Sequence, residues 1–140
     1  MITVQDHIDI VSLYATYNHL ADGEDAVEYS NCYTAEGILI TGGRVLGNNR
    51  AEIAQFRKAS MQAVRAQGMK RRHISTDIVL EPLSAVAVRG RCYLQSCLVQ
   101  ADKVHLTHSC TTDDSIVKEQ GRWRFARRVL TLDFGNMGPG

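Results

Sequence analysis

After Gly68 the chain turns almost wholly to strand-forming sequence. Lys70–Leu80, Ala85–Gln100, Lys103–Lys118 and Arg122–Asp133 are rich in Val, Ile, Thr and Leu, and turn residues part them: Pro82-Leu83-Ser84, Ala101-Asp102 and Gln120-Gly121. Connections this short join antiparallel neighbours, because a parallel crossover needs about a dozen residues or more. A meander of four long strands must cover one of its faces, and the first half of the chain is patterned as helices that could do so. Ile10, Tyr14, Tyr17 and Ala21 recur at helical spacing between Val4 and Ala21, with Leu13 and Leu20 widening the stripe and Gly23 stopping it. Asp25 followed by Glu28 predicts a capping box and a short helix through about Asn31, which gives Asp25 a structural role. Glu36–Thr41 predicts a strand, turned by Gly42-Gly43 into a short partner at Arg44–Leu46. Asn49 with Glu52 opens a third helix whose Ile53, Phe56, Ser60 and Ala63/Val64 face stays apolar until Gly68. The expected class is α+β, three N-terminal helices covering one face of a curved, mostly antiparallel sheet.

A chain of 140 residues fits one domain, expected over 1–134, with Gly135 to Gly140 as a flexible tail. Lys and Arg total 16 against 15 Asp and Glu, a net charge of +1 that argues against a nucleic-acid partner. No apolar run approaches the roughly 18 residues of a membrane span. Met1-Ile2-Thr3-Val4-Gln5-Asp6 lacks the basic and apolar regions of a secretory signal, so the expected location is cytoplasmic. Cys32, Cys92, Cys97 and Cys110 have no C-x-x-C spacing and read as reduced, small apolar residues.

Several motifs invite chemistry. Gly42-x4-Gly47 lies between a strand and a helix, but Asn48-Asn49 follows where a phosphate loop carries Lys-Ser/Thr, so a turn and a helix start explain it better. His105 and His108 are three apart on a strand and face opposite sides, which argues against a metal pair, and no metal is expected. Lys70-Arg71-Arg72 with Arg57-Lys58 reads as a solvated edge, or as a cluster at a pocket mouth that attracts an anionic substrate. Asp22, at the end of the first helix, sits where the macrodipole disfavours a carboxylate, so it is a plain turn residue or it has a partner. Strict alternation puts His73, Ser75 and Asp77 on one face of their strand and Ile74, Ile78 and Leu80 on the other. If the first face turns towards the helices, Asp22 and His73 form an orienter and a base; the alternative is a structural histidine. On the last strand, alternation groups Trp123, Phe125 and Arg127 against Arg124, Ala126 and Arg128, and leaves open which of Arg127 and Arg128 points inward.

The order of elements, with Ile10-x2-Leu13-Tyr14-x7-Asp22, Tyr33-x2-Glu36-Gly37, Arg72-His73 and Gly121-Arg122-Trp123-Arg124-Phe125, resembles the SnoaL-like branch of the ketosteroid-isomerase-like superfamily, which includes nuclear transport factor 2. The resemblance runs from about Thr3 to Asp133 and implies a cone-shaped, cystatin-like α+β fold. Asp22 and His73 fall where scytalone dehydratase, bile-acid dehydratase and hexachlorocyclohexane dehydrochlorinase carry an Asp–His pair. Tyr17 matches a catalytic tyrosine position of the bile-acid type, and Arg128 falls near a functional arginine. No counterpart of the long C-terminal extension of scytalone dehydratase is expected, so that enzyme's own substrate is not the expected one.

The resemblance implies cofactor-independent acid–base chemistry. His73 would take a proton from carbon, Asp22 would hold its ring, and Tyr17 and Arg128 would steady the developing charge. Tyr14, Phe56 and Leu94 would line a pocket for a small, mostly hydrophobic cyclic substrate. Dehydration comes first; isomerisation, cyclisation and epoxide opening are alternatives on the same fold. A non-catalytic binding or dimerisation module, like the small subunits of ring-hydroxylating oxygenases, is the alternative of another class. Related folds pair as twofold dimers through the outer sheet face, here expected to carry Ile74 and Ile78.

Overall fold

The computed structural model describes residues 1–135. Helix α1 (Val4–Ala21) opens with a complete capping box, Thr3 and Asp6 each bonding the other's backbone N–H. Its Ile10, Tyr14, Tyr17 and Ala21 are buried at the expected spacing. In α2 (Ala26–Ser30) Asp25 accepts from Glu28 N–H, but the Glu28 carboxylate holds Asn31 instead of reaching back, so only half of the expected box forms. Before α3 (Arg50–Ala66) Asn49 accepts from Glu52 N–H, and Glu52 reaches past it to the N–H of Asn48.

The strands are β1 (Tyr33–Thr41), β2 (Arg44–Gly47), β3 (Lys70–Ser84), β4 (Ala87–Gln100), β5 (Lys103–Glu119) and β6 (Arg122–Gly135). They form one sheet in the order β2-β1-β6-β5-β4-β3, in which only β1 and β6 run parallel. The helices cover one face of this sheet, and the core of Ile10, Tyr14, Tyr29, Tyr33, Leu94, Ile116 and Phe125 lies between the layers. Gly42 and Gly43 take positive φ in the hairpin turn. Gly47 packs so close to α3 that a Cβ would lie 2.6 Å from an Ile53 side-chain carbon. These are turn and packing glycines.

β-Bulges and register shifts displace the expected alternation, two of them beside the residues of interest. A bulge inserts one extra residue into one strand and swaps the faces beyond it. Asp77, at φ +55°, lies in the bulge of β3. Ile78 and Leu80 therefore turn inward, onto the core beside His73 and Ser75, while Ile74 stays outside. The expected placement of Ile78 on the outer face is corrected. The bulge between Phe125 and Arg127 does the same on β6, so Arg128 joins Trp123 and Phe125 inside and Arg127 is exposed. Pro82-Leu83-Ser84 belongs to β3 and pairs towards β4; the turn falls at Ala85-Val86. Gly135 still pairs with His108, one residue past the expected domain end, and the rest of the expected tail lies outside the described residues.

These registers lay the inner face out in cross-strand rows. His73, Ser96 and His108 stand side by side; then Ser75, Leu94 and Cys110; then Cys92, Thr112 and Leu130; then Gly90, Asp114 and Arg128. No helix is long and apolar enough to cross a membrane among the described residues.

Candidate active site

Asp22 caps the C-terminus of α1, and its carboxylate crosses to β3. Oδ1 lies 2.5 Å from His73 Nδ1, and Oδ2 accepts the His73 backbone N–H at 2.9 Å. Two donors thus offset the unfavourable helix end, and both oxygens are engaged. A carboxylate at Nδ1 fixes that nitrogen as the donor and leaves Nε2 as the basic one. The His73 side chain is 2% exposed. Burial lowers its pKa to about 4; the Asp22 hydrogen bond works the other way, and the nearby charges of Arg57 and Arg71 lower it further. The ring is neutral at pH 7, ready to accept a proton.

Two grooves meet at Asp22 and Arg72, and His73 lines the first of them. One, of about 640 Å³, runs between α1 and β3 past Val11, Tyr14, Ala15, Ile74, Ser75 and Ile78. The other, of about 580 Å³, lies under α3 beside Lys58, Met61, Arg65 and Arg71.

On the inner side of His73 the polar groups crowd. The His108 ring lies 6.2 Å away, centroid to centroid, and is fully buried. Burial lowers its pKa to about 4, helped by His73, Arg71 and Arg57. Arg57 and Arg71 are both buried. The reading of the Lys70-Arg71-Arg72 and Arg57-Lys58 group as a solvated edge is therefore corrected. Strand and helix periodicity split it, sending Arg57 and Arg71 inward and leaving Lys58, Lys70 and Arg72 exposed.

Tyr17 and Arg128 come together, but deeper in the cone. Arg128 is fully buried, with Nε and Nη2 held by Asp114 at 2.9 and 3.2 Å, and its guanidinium lies over the rings of Tyr17 and Phe125. The Tyr14 hydroxyl donates to the same carboxylate at 2.6 Å. The Tyr17 hydroxyl bonds those of Tyr29, at 2.5 Å, and Tyr33, at 3.0 Å, and Tyr29 in turn accepts from Arg57 Nη2 at 3.2 Å. Tyr17 thus reaches the His73 neighbourhood only through Tyr29 and Arg57. Of the expected lining residues, Tyr14 edges the groove beside His73, Leu94 is core, and Phe56 packs half-buried next to Arg57.

Sequence reading missed Asp114, Ser96 and the proximity of His108 to His73. Cross-strand neighbours are set by register, which periodicity does not supply. One signal for Asp114 was present: Gly90 interrupts a strand, and a glycine there marks a close approach. A Cβ on Gly90 would lie 2.2 Å from the Tyr14 hydroxyl that reaches Asp114.

The SnoaL-like domain family matches residues 3–129, and the chain belongs to that family. No curated protein sequence matches it. Among solved structures it is similar to Rv3472 of Mycobacterium tuberculosis, a protein of unknown function solved as an Asp-to-Asn variant. That match has 25% identity and a TM-score of 0.81, covering 91% of this chain and 72% of that one. ActVI-ORFA of Streptomyces coelicolor is 21% identical at a TM-score of 0.84, with 96% and 99% covered. A provisionally assigned scytalone dehydratase of Novosphingobium aromaticivorans is 14% identical at 0.80, with 94% and 86% covered. Other neighbours are described as cystatin-like and NTF2-like, which is the fold class of this chain.

Proposed function

We propose that the protein is a cofactor-independent acid–base enzyme, a dehydratase acting on a small cyclic substrate through Asp22 and His73. The carrying observation is the two-point grip of Asp22 on His73, ring and backbone together, on a histidine that burial keeps neutral. His73 Nε2 takes a proton from the carbon next to an electron-withdrawing group, and Asp22 stabilises the imidazolium that forms. The same imidazolium then gives its proton to the departing hydroxyl. The carbon–oxygen bond breaks, the double bond forms, water leaves and His73 is neutral again. A positioned base supplies typically about 10²–10⁴-fold, so the developing negative charge needs donors as well. Arg57, Arg71 and His108 stand nearer to His73 than the Tyr17–Arg128 group does, whose hydrogen bonds are largely committed to Tyr29, Tyr33 and Asp114. The apolar stretch of the α1–β3 groove suits a hydrophobic ring. The provisional assignment of one similar fold as a scytalone dehydratase agrees with elimination.

The test is turnover of cyclic β-hydroxy carbonyl compounds by wild type, His73→Ala and Asp22→Asn. The expected loss in kcat is roughly 10²–10⁴-fold for His73→Ala. Equal rates in wild type and His73→Ala would remove the base. An isomerase would abstract the same proton without releasing water, which the product's mass distinguishes.

A further inference from the structure

Arginine forks show what they hold in this molecule. Arg89 uses Nε and Nη2 to grip both oxygens of Asp113, at 3.0 and 2.8 Å. Arg128 aims the same edge at Asp114. A guanidinium edge matches a carboxylate in spacing and plane. Arg71 has that edge empty. Among the described residues its Nε and Nη2 are buried and without a partner, the residue being only 6% exposed. Arg57 Nε, His108 Nε2 and Ser96 Oγ are buried and unpartnered too.

The topology gathers these groups. Arg71 is two residues before His73 on the inward face of β3, and His73, Ser96 and His108 form one row across β3, β4 and β5. Arg57 faces them from α3, anchored by Nη2 to the Tyr29 hydroxyl. Asp22 is the nearby carboxylate, and both its oxygens are taken by His73. Neither Arg57 nor Arg71 has a carboxylate within 4 Å among the described residues. Leaving buried donors unpaired is costly, and more so for charged ones. The groove that reaches Arg71 is basic at its mouth, with Lys58, Arg65, Lys70, Arg71 and Arg72 against Asp22 and Glu24. Such a mouth favours the approach of an anion.

We infer that Arg71 and Arg57, with His108 and Ser96, form a carboxylate seat beside His73, and that the substrate is a cyclic carboxylic acid held by its carboxylate. The inference rests on the acid–base reading for calling the ligand a substrate, while the seat itself does not. A seated carboxylate also cancels the two positive charges that now oppose protonation of His73, so occupancy makes the base stronger.

Titration calorimetry at pH 7 with benzoate and cyclohexanecarboxylate, each against its neutral amide, tests the seat. At least one carboxylate is expected to bind roughly tenfold or more tighter than its amide. Arg71→Gln removes that preference, and Arg71→Lys, which keeps the charge but loses the fork, weakens it. His73→Asn, whose side-chain N–H can still hold Asp22 but which has no basic nitrogen, keeps the preference, so a failed base assignment and a failed seat give different results. Circular dichroism and melting of each variant show whether it is folded. If Arg71→Gln unfolds the protein, folded Arg71→Lys and Arg57→Gln must carry the loss. In wild type, the His73 ring titration followed by NMR should move to higher pH with the carboxylate bound. Equal affinity for acid and amide, or a preference that survives in folded Arg71→Lys and Arg57→Gln, would overturn the proposal.

Discussion

An imidazole buried beside guanidinium groups is hard to protonate, and this protein holds two. His73 and His108 have pKa values lowered to about 4, chiefly by burial, against about 6.5 in an unfolded chain. Between those values the unfolded state binds protons that the folded state refuses. Stability is therefore full above about pH 6.5, falls as pH drops towards about 4, and from these two groups changes no further below that. Each tenfold difference in acidity amounts to about 1.4 kcal/mol. Urea melts from pH 7.5 to 4.5 should show the decline, and His108→Gln should make it shallower. An unchanged slope in that variant would show that His108 titrates normally. For catalysis the sign is the same. A base that stays neutral down to about pH 4 gives kcat/KM an acid limb well below pH 6.5. For Asp22 a carboxylate at a helix C-terminus signalled a partner or a plain turn residue, and only the resemblance to the SnoaL-like branch joined it to His73. His108 could not be joined to them, since its neighbour across two strands is a matter of register.

Strands β5 and β6 are tied together inside the cone by an ion pair that α1 also reaches. Asp114 holds Arg128 across β5 and β6 and receives the Tyr14 hydroxyl from α1, while Gly90 on β4 leaves room for that reach. Asp114→Asn leaves the guanidinium buried without its counter-charge, and a loss of about 3–5 kcal/mol is expected. Tyr14→Phe removes a single hydrogen bond and should cost far less, about 1 kcal/mol or somewhat more because its partner is charged. Gly90→Ala puts a methyl group into the hydroxyl and should destabilise by roughly 1–3 kcal/mol. Equilibrium unfolding in urea ranks the three, and a mild Asp114→Asn would show that Arg128 finds another partner or water. Element types and order were legible, because helical spacing and turn residues act locally. The faces beyond each bulge were not. Asp77 adds a residue that turns Ile78 and Leu80 inward, and the bulge before Arg127 buries Arg128; neither carries a glycine or proline to announce it.

On the scale of the whole molecule, the helices cover one sheet face and leave the other bare. Ile74, Val79 and Tyr93 are exposed there, close together on β3 and β4. Ile78, expected among them, is instead part of the inner packing. We propose that a second copy covers this patch as a twofold dimer, since self-complementary pairing is the commonest way to bury such a surface. Sedimentation velocity should show a dimer, and Tyr93→Lys should shift it towards monomer without lowering the melting point of the isolated subunit. A wild-type monomer at high concentration would refute the pairing.

Local rules were enough for the class of fold: an amphipathic stripe, capping residues and β-rich runs each act within a few residues, and together they dictate helices over a meander. They left Asp22 and His73 open between structural and chemical roles, and the resemblance to the SnoaL-like branch is what singled out the pair. Which groups stand around them was decided by strand register and bulges, because a single inserted residue reverses every side chain beyond it. The empty fork of Arg71, the burial of Arg57 and the sealing of Arg128 by Asp114 are consequences of how distant segments meet, and no window along the chain contains them.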